Sequence, residues 1–218
     1  MLLATVTSVR EAMGMDSGQD TENAISDALE AATDDLAAQI SNSFEPGSRQ
    51  DDFVVSFKEI PETSPIIKLG LRRGFLSASP TVVAARGPDE FGTSTEVSVT
   101  SFDVDVENGV VSFWKSVDLG DGAYVSSRNQ PNRSTWWFRV SYDHGFASGD
   151  GLTYDDVPGW LTRAAQLQAR ISLNAHPSFV QAQAVTDVKS LLSQLSRIVA
   201  SKTRYLPWAM LPANSRAV

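Results

Sequence analysis

The sequence predicts an α+β chain in which N- and C-terminal helices form one helical bundle, with a large β-rich insertion between them and an extended C-terminal arm. Three observations carry this expectation. Apolar residues recur at helical spacing within 6–43 and again within 157–200. Between them, β-branched and aromatic runs are punctuated by Pro and Gly. Near the C-terminus, Pro207 and Pro212 forbid a continuous helix. The expected divisions are 1–45 for the N-terminal helices, 46–150 for the β insertion, 151–203 for the C-terminal helices and 204–218 for the arm.

Taken in order, Ser8-Val-Arg-Glu11 has capping-box spacing and Gly14 suits a helix end, which predicts a short helix near 6–13. Asp20 or Thr21 is expected to cap a longer helix running to about Ser43. In it Ile25, Ala28, Leu29, Ala32, Leu36 and Ile40 share one face, while Asp20, Asp27, Glu30 and Asp34 gather opposite. Pro46-Gly47 ends the helical part. Asp52–Ile60, Ile66–Arg72 and Thr81–Arg86 read as strands, and Glu96–Glu107 and Val110–Lys115 flank Asn108-Gly109. Asn-Gly between alternating apolar residues is a strong hairpin signal. A two-residue turn there sets Val106 opposite Val111 and Val104 opposite Phe113. Asp118–Pro131 reads as a long exposed loop.

The stretch from Trp137 to Tyr142 alternates as the last strand, and Gly145 stops it. Asp155 or Asp156 offers an N-cap, Pro158 suits a first helical turn, and Trp160, Leu161, Ala164, Leu167 and Ile171 predict a helix over 157–173. His176-Pro177 is a break. Val185, Val188, Leu191, Leu192, Leu195, Ile198 and Val199 then predict a second amphipathic helix.

Charge is unevenly spread. The net charge is -8, yet from Val157 onward Arg163, Arg170, Lys189, Arg197, Lys202, Arg204 and Arg216 stand against Asp187 alone. From Asp16 to Glu62 the only bases are Arg49 and Lys58. Such asymmetry implies two surfaces with different neighbours. No apolar run approaches the roughly 20 residues that span a bilayer, so no membrane association is expected. The N-terminus has no basic n-region, so no signal peptide is expected.

The chemistry on offer is thin. The chain has no Cys and only His144 and His176, which argues against a His/Cys metal site or a Cys–His nucleophile. His144 follows Asp143, but there is no Gly-x-Ser-x-Gly elbow, no phosphate loop and no Rossmann glycine pattern. The Asp143, Asp150, Asp155 and Asp156 loop lacks the carboxylate order of an EF-hand. The expectation is no catalytic residue, no metal and no cofactor. Trp114, Trp136 and Trp137 leave one competing idea, a carbohydrate-binding module or glycosidase with a sugar-stacking platform.

The order of parts resembles the head–tail connector (adaptor) proteins of tailed bacteriophages. A short helix ends in Met13-Gly14, and a helix with Ala31-Ala32-Thr33 ends in Ser43-Phe44. Strands, an Asn-Gly-Val-Val step and a Val-Ser-Tyr-Asp-His-Gly-Phe strand end follow. The pattern Tyr-x-x-Gly-Phe … Val-Pro-x-x-Leu-x-x-Ala falls on Tyr142, Gly145, Phe146, Val157, Pro158, Leu161 and Ala164. The resemblance covers about 1–44 and 95–200, and the β stretch of about 50–140 departs from it as an enlarged insertion. It implies a structural virion protein without enzymatic activity, assembled in the bacterial host cytoplasm. It also implies a homo-oligomeric ring of about twelve subunits between the portal protein and a stopper or tail protein. DNA would pass through the lumen without specific binding, and Asp27, Glu30 and Asp34 are the candidates for an acidic channel face that repels phosphate. The arm, with Arg204, Tyr205, Leu206, Pro207, Trp208, Met210, Leu211 and Pro212, is the candidate for portal docking.

Overall fold

A computed structural model describes residues 1–15, 18–40, 42–57, 66–114, 116–117, 119, 135–147, 153–174 and 188–202. These residues form four α-helices and two antiparallel sheets, the mixed α+β class that the sequence predicts. The chain divides into two compact units. One takes Met1–Ser43 and then the chain from Phe146 through the last helix; the other takes Phe44–Gly145.

In the helical unit, α1 spans Val6–Met13. Thr5, not Ser8, is its N-cap: the Thr5 hydroxyl accepts from the Ser8 N–H, and the Ser8 hydroxyl donates back to the Thr5 carbonyl. Gly14 closes the helix in the left-handed region at φ 65. Helix α2 spans Gln19–Gln39 and stops four residues before the expected Ser43. Gly18 is its N-cap, with Asp20 and Glu22 in the first turn near the positive end of the helix dipole. Ile25, Leu29, Ala32, Leu36 and Ile40 are buried, as their shared face predicts.

Helix α3 spans Gly159–Asn174, and α4 spans Val188–Lys202. Neither Asp155 nor Asp156 caps α3. The Pro158 carbonyl instead accepts the Leu161 and Thr162 N–H groups, which starts the helix two residues later than expected. Leu161, Ala164, Ala165, Leu167, Ala169 and Leu173 are all buried on α3. They occupy more than half its circumference, as a central helix requires. It packs against α1, α2 and α4. His176, Pro177 and Val185 lie outside the described residues.

The β unit is a pair of facing sheets. One has the order β1-β7-β3-β4, with β1 Gly47–Ser56, β3 Thr81–Ala85, β4 Val97–Val99 and β7 Thr135–His144. The other has the order β2-β6-β5, with β2 Ile66–Gly70, β5 Asp103–Asp105 and β6 Val110–Trp114. Alternation directs Phe53, Val55, Phe138, Val140, Val111 and Phe113 into one buried core. The Phe113 and Phe138 rings, from the two facing sheets, lie 5.0 Å apart. Strands β1 and β7 pair over their full length, from Gly47 opposite His144 to Ser56 opposite Thr135.

Three strand expectations are corrected. Strand β1 begins at Gly47, five residues before Asp52, because Ser48, Gln50 and Asp52 lie on the face turned away from the core and need not be apolar. The single strand expected over Glu96–Glu107 is two: β4 pairs with β3 in one sheet, and β5 pairs with β6 in the other. The hairpin turn has four residues, not two, so Val104 faces Val111. Asp105 explains the wider turn, since its carboxylate accepts from both the Asn108 N–H and the Asn108 side chain. Val106 and Glu107 then give their carbonyls to Leu76 and Phe75. The slip is two residues, which keeps Val104, Val111 and Phe113 on the inner side. Most of the expected Asp118–Pro131 loop lies outside the described residues.

Candidate functional site

The pattern that carries the resemblance maps onto the two ends of the return from strand to helix. Within the β unit, Tyr142 is buried on β7 and its hydroxyl donates to Asp51 Oδ2 at 2.8 Å. The same oxygen accepts the Arg72 N–H at 2.7 Å, and Arg72 Nε stands 3.5 Å from Oδ1. Asp51 is fully buried, so this small network is what makes a carboxylate tolerable in that core. Burial, and then the hydrogen bond to Asp51, hold the Tyr142 pKa above the ordinary tyrosine range. Sequence reasoning missed Asp51. The available signal was a carboxylate at an inward step of a strand, in a chain offering Tyr and Arg partners.

Gly145 ends β7 with φ 86. A Cβ there would lie 2.2 Å from the Glu45 carbonyl oxygen, so no other residue fits without displacing the backbone. Its N–H donates to the Phe75 carbonyl. In the helical unit, Phe146 is buried against the Tyr154 ring, and Leu161 and Ala164 are buried on α3.

Asp143 and His144 do not form a catalytic pair. They are strand neighbours, and Asp143 instead accepts the Ser48 hydroxyl at 2.6 Å. His144 is held below its ordinary pKa by burial, then by the charges of Arg73 and Arg49. The three tryptophans do not share a platform. Trp136 is buried in the core, and Trp137, its neighbour on β7, projects to the other face. Trp114 is exposed on the second sheet, opposite Ile66. The carbohydrate reading loses its only specific support.

Asp27, Glu30 and Asp34 are exposed along one stripe of α2, on the side away from Ile25, Leu29 and Leu36. Asp20 and Asn23 extend the stripe and edge an open groove with Ser172 and Leu173 of α3. Two acids off the stripe are engaged within the unit: Glu22 with Arg10 at 2.7 Å, and Asp35 with the Gln168 amide at 3.1 Å. The expected docking arm, Arg204, Tyr205, Leu206, Pro207, Trp208, Met210, Leu211 and Pro212, lies outside the described residues.

No protein-family model and no curated protein matches the sequence. Among solved structures, one similar chain comes from "Neck of empty GTA particle computed with C6 symmetry", at 13% identity and a TM-score of 0.38, covering 88% of this chain and 87% of that one.

Proposed function

We propose that this protein is a head-to-tail adaptor, a ring subunit that joins a portal to a tail in a phage-like particle and forms part of the DNA channel. It works by binding and not by chemistry. The observation that supports this reading most is the order Tyr142, Gly145, Phe146, Val157, Pro158, Leu161 and Ala164 on a chain whose helical unit brackets a β unit. The basic, apolar arm 204–218 suits insertion into an acidic portal surface, with Trp208 as the anchor.

The test is assembly. Negative-stain microscopy of the purified protein, alone and with portal-bearing heads, should show rings. Deleting 204–218 should leave helix content unchanged and abolish attachment to heads. Trp208→Ala should weaken attachment by roughly 2 kcal/mol or more. A protein that never forms rings, or a truncated one that still caps heads, overturns the reading.

A further inference from the structure

The helical unit carries opposite charge on opposite sides. Helix α2 contains six acids and no base within Gln19–Gln39. Helices α3 and α4 together contain Arg163, Arg170, Lys189, Arg197 and Lys202 and no acid. Helix α3 packs along both α2 and α4, while α2 and α4 share at most marginal contact. The acidic helix and the basic helix therefore flank a common centre.

The outward side of α4 is larger than its own unit covers. The sequence gives α4 a broad apolar face, yet only Leu191 and Leu195 are buried, while Val188 and Leu192 are 37% and 46% exposed. Between Leu192 and Arg197 on the helix surface lie Ser193, Ser196 and Ala200, all exposed and small enough for another helix to approach closely. Arg170 of α3 holds a buried Nε with no acceptor among the described residues. Burial, and then the charge of Arg163, keep the Arg170 pKa below its usual value. Distances along the two helices also match. Lys189 and Arg197 are eight residues apart, about 12 Å, and Asp27 and Asp34 are seven apart, about 10 Å.

We infer that the helical unit binds a second copy of itself head to tail, with the acidic stripe Asp27, Glu30 and Asp34 of one copy seated on the Leu192–Arg197 face of α4 in the next. This rests on the ring-subunit reading and names its subunit contact. A contact of this kind is heterologous: each copy offers one acidic and one basic flank, so association continues from copy to copy until a ring closes. It also moves the acidic stripe out of the lumen, where sequence reasoning had set it, and into the wall between subunits.

Two engineered copies test it. Copy A carries Asp27→Lys and Asp34→Lys; copy B carries Lys189→Glu and Arg197→Glu. Each alone juxtaposes like charges, and its self-association should fall at least tenfold at low salt. Mixed, A presents a positive α2 to B's negative α4, and A's native α4 meets B's native α2, so assembly should return. Unchanged far-UV circular dichroism shows that A and B are folded. The absence of native Cys gives a second measurement. Asp27→Cys combined with Arg197→Cys in one chain should give a ladder of oligomers with a short bis-maleimide, whereas an equal mixture of the two single variants should stop at dimers.

The failures are distinguishable. A wild-type protein that never associates, alone or on portal-bearing heads, sinks the ring reading and this contact together. Wild-type rings that persist in A and in B overturn the contact alone. So does a Cys at position 197 that is shielded from maleimide in the dilute monomer, since the chain itself would then cover α4. Duplex DNA bound by the wild type and lost in B, with association unchanged, would assign α4 to nucleic acid instead.

Discussion

Asp51 is a fully buried carboxylate on the core-facing side of β1, beside Phe53, and its two hydrogen bonds and Arg72 set its cost. Tyr142→Phe removes one of those bonds but keeps the ring. A loss of about 1.5–3 kcal/mol is expected in a denaturant titration. The pH dependence has a definite sign. The folded Tyr142 pKa is raised, so its contribution is whole below the ordinary value of about 10 and fades as pH rises beyond it, because the unfolded chain gives up that proton first. Tyr142→Phe should therefore lose stability less steeply than wild type above that pH. Gly145→Ala combines a positive φ with a Cβ pressed into the Glu45 carbonyl. It should cost at least about 2 kcal/mol, read in the same titration.

At the scale of elements, α3 is the most constrained. Ala164, Ala165 and Ala169 are fully buried and let neighbouring helices come close. Ala165→Leu should cost about 1–3 kcal/mol by overpacking, measured as a drop in the denaturation midpoint. The cross-strand pair Asp52–Arg139 behaves differently. Arg139 makes two hydrogen bonds to Asp52, at 2.7 and 2.9 Å, and lies 4.2 Å from the Phe91 ring centroid, but both partners are part-exposed. A double-mutant cycle with Asp52→Asn and Arg139→Gln should return a coupling of about 1 kcal/mol or less, and salt should reduce it.

These elements differ in how far the sequence reveals them. Helices α1 to α4 were legible because each carries an apolar stripe at its own period. The opening of β1 was not, since a strand with one solvated face can be polar for half its length. The division of 96–107 between two sheets depends on pairing partners far along the chain, which no local pattern encodes. Of the site residues, the α2 stripe was legible as a face, but its position relative to α4 came only with packing.

For the whole molecule, the important pairing is Gly47 with His144. The strand that leaves the helical unit and the strand that returns to it are hydrogen-bonded neighbours. Replacing 48–143 by a short glycine linker should leave a helical protein whose far-UV spectrum keeps its helix signal. Loss of that signal would mean that the helices need the sheets to fold.

The same pairing makes residues 47 and 144 a graft point. The chain enters the β unit along β1 and leaves it along β7, on two strands that are one strand spacing apart. Any sheet whose first and last strands are antiparallel partners presents an identical socket. A lineage, or a protein engineer, can then exchange the β cassette to suit a different neighbour while the two strands that join it to the helices keep their register.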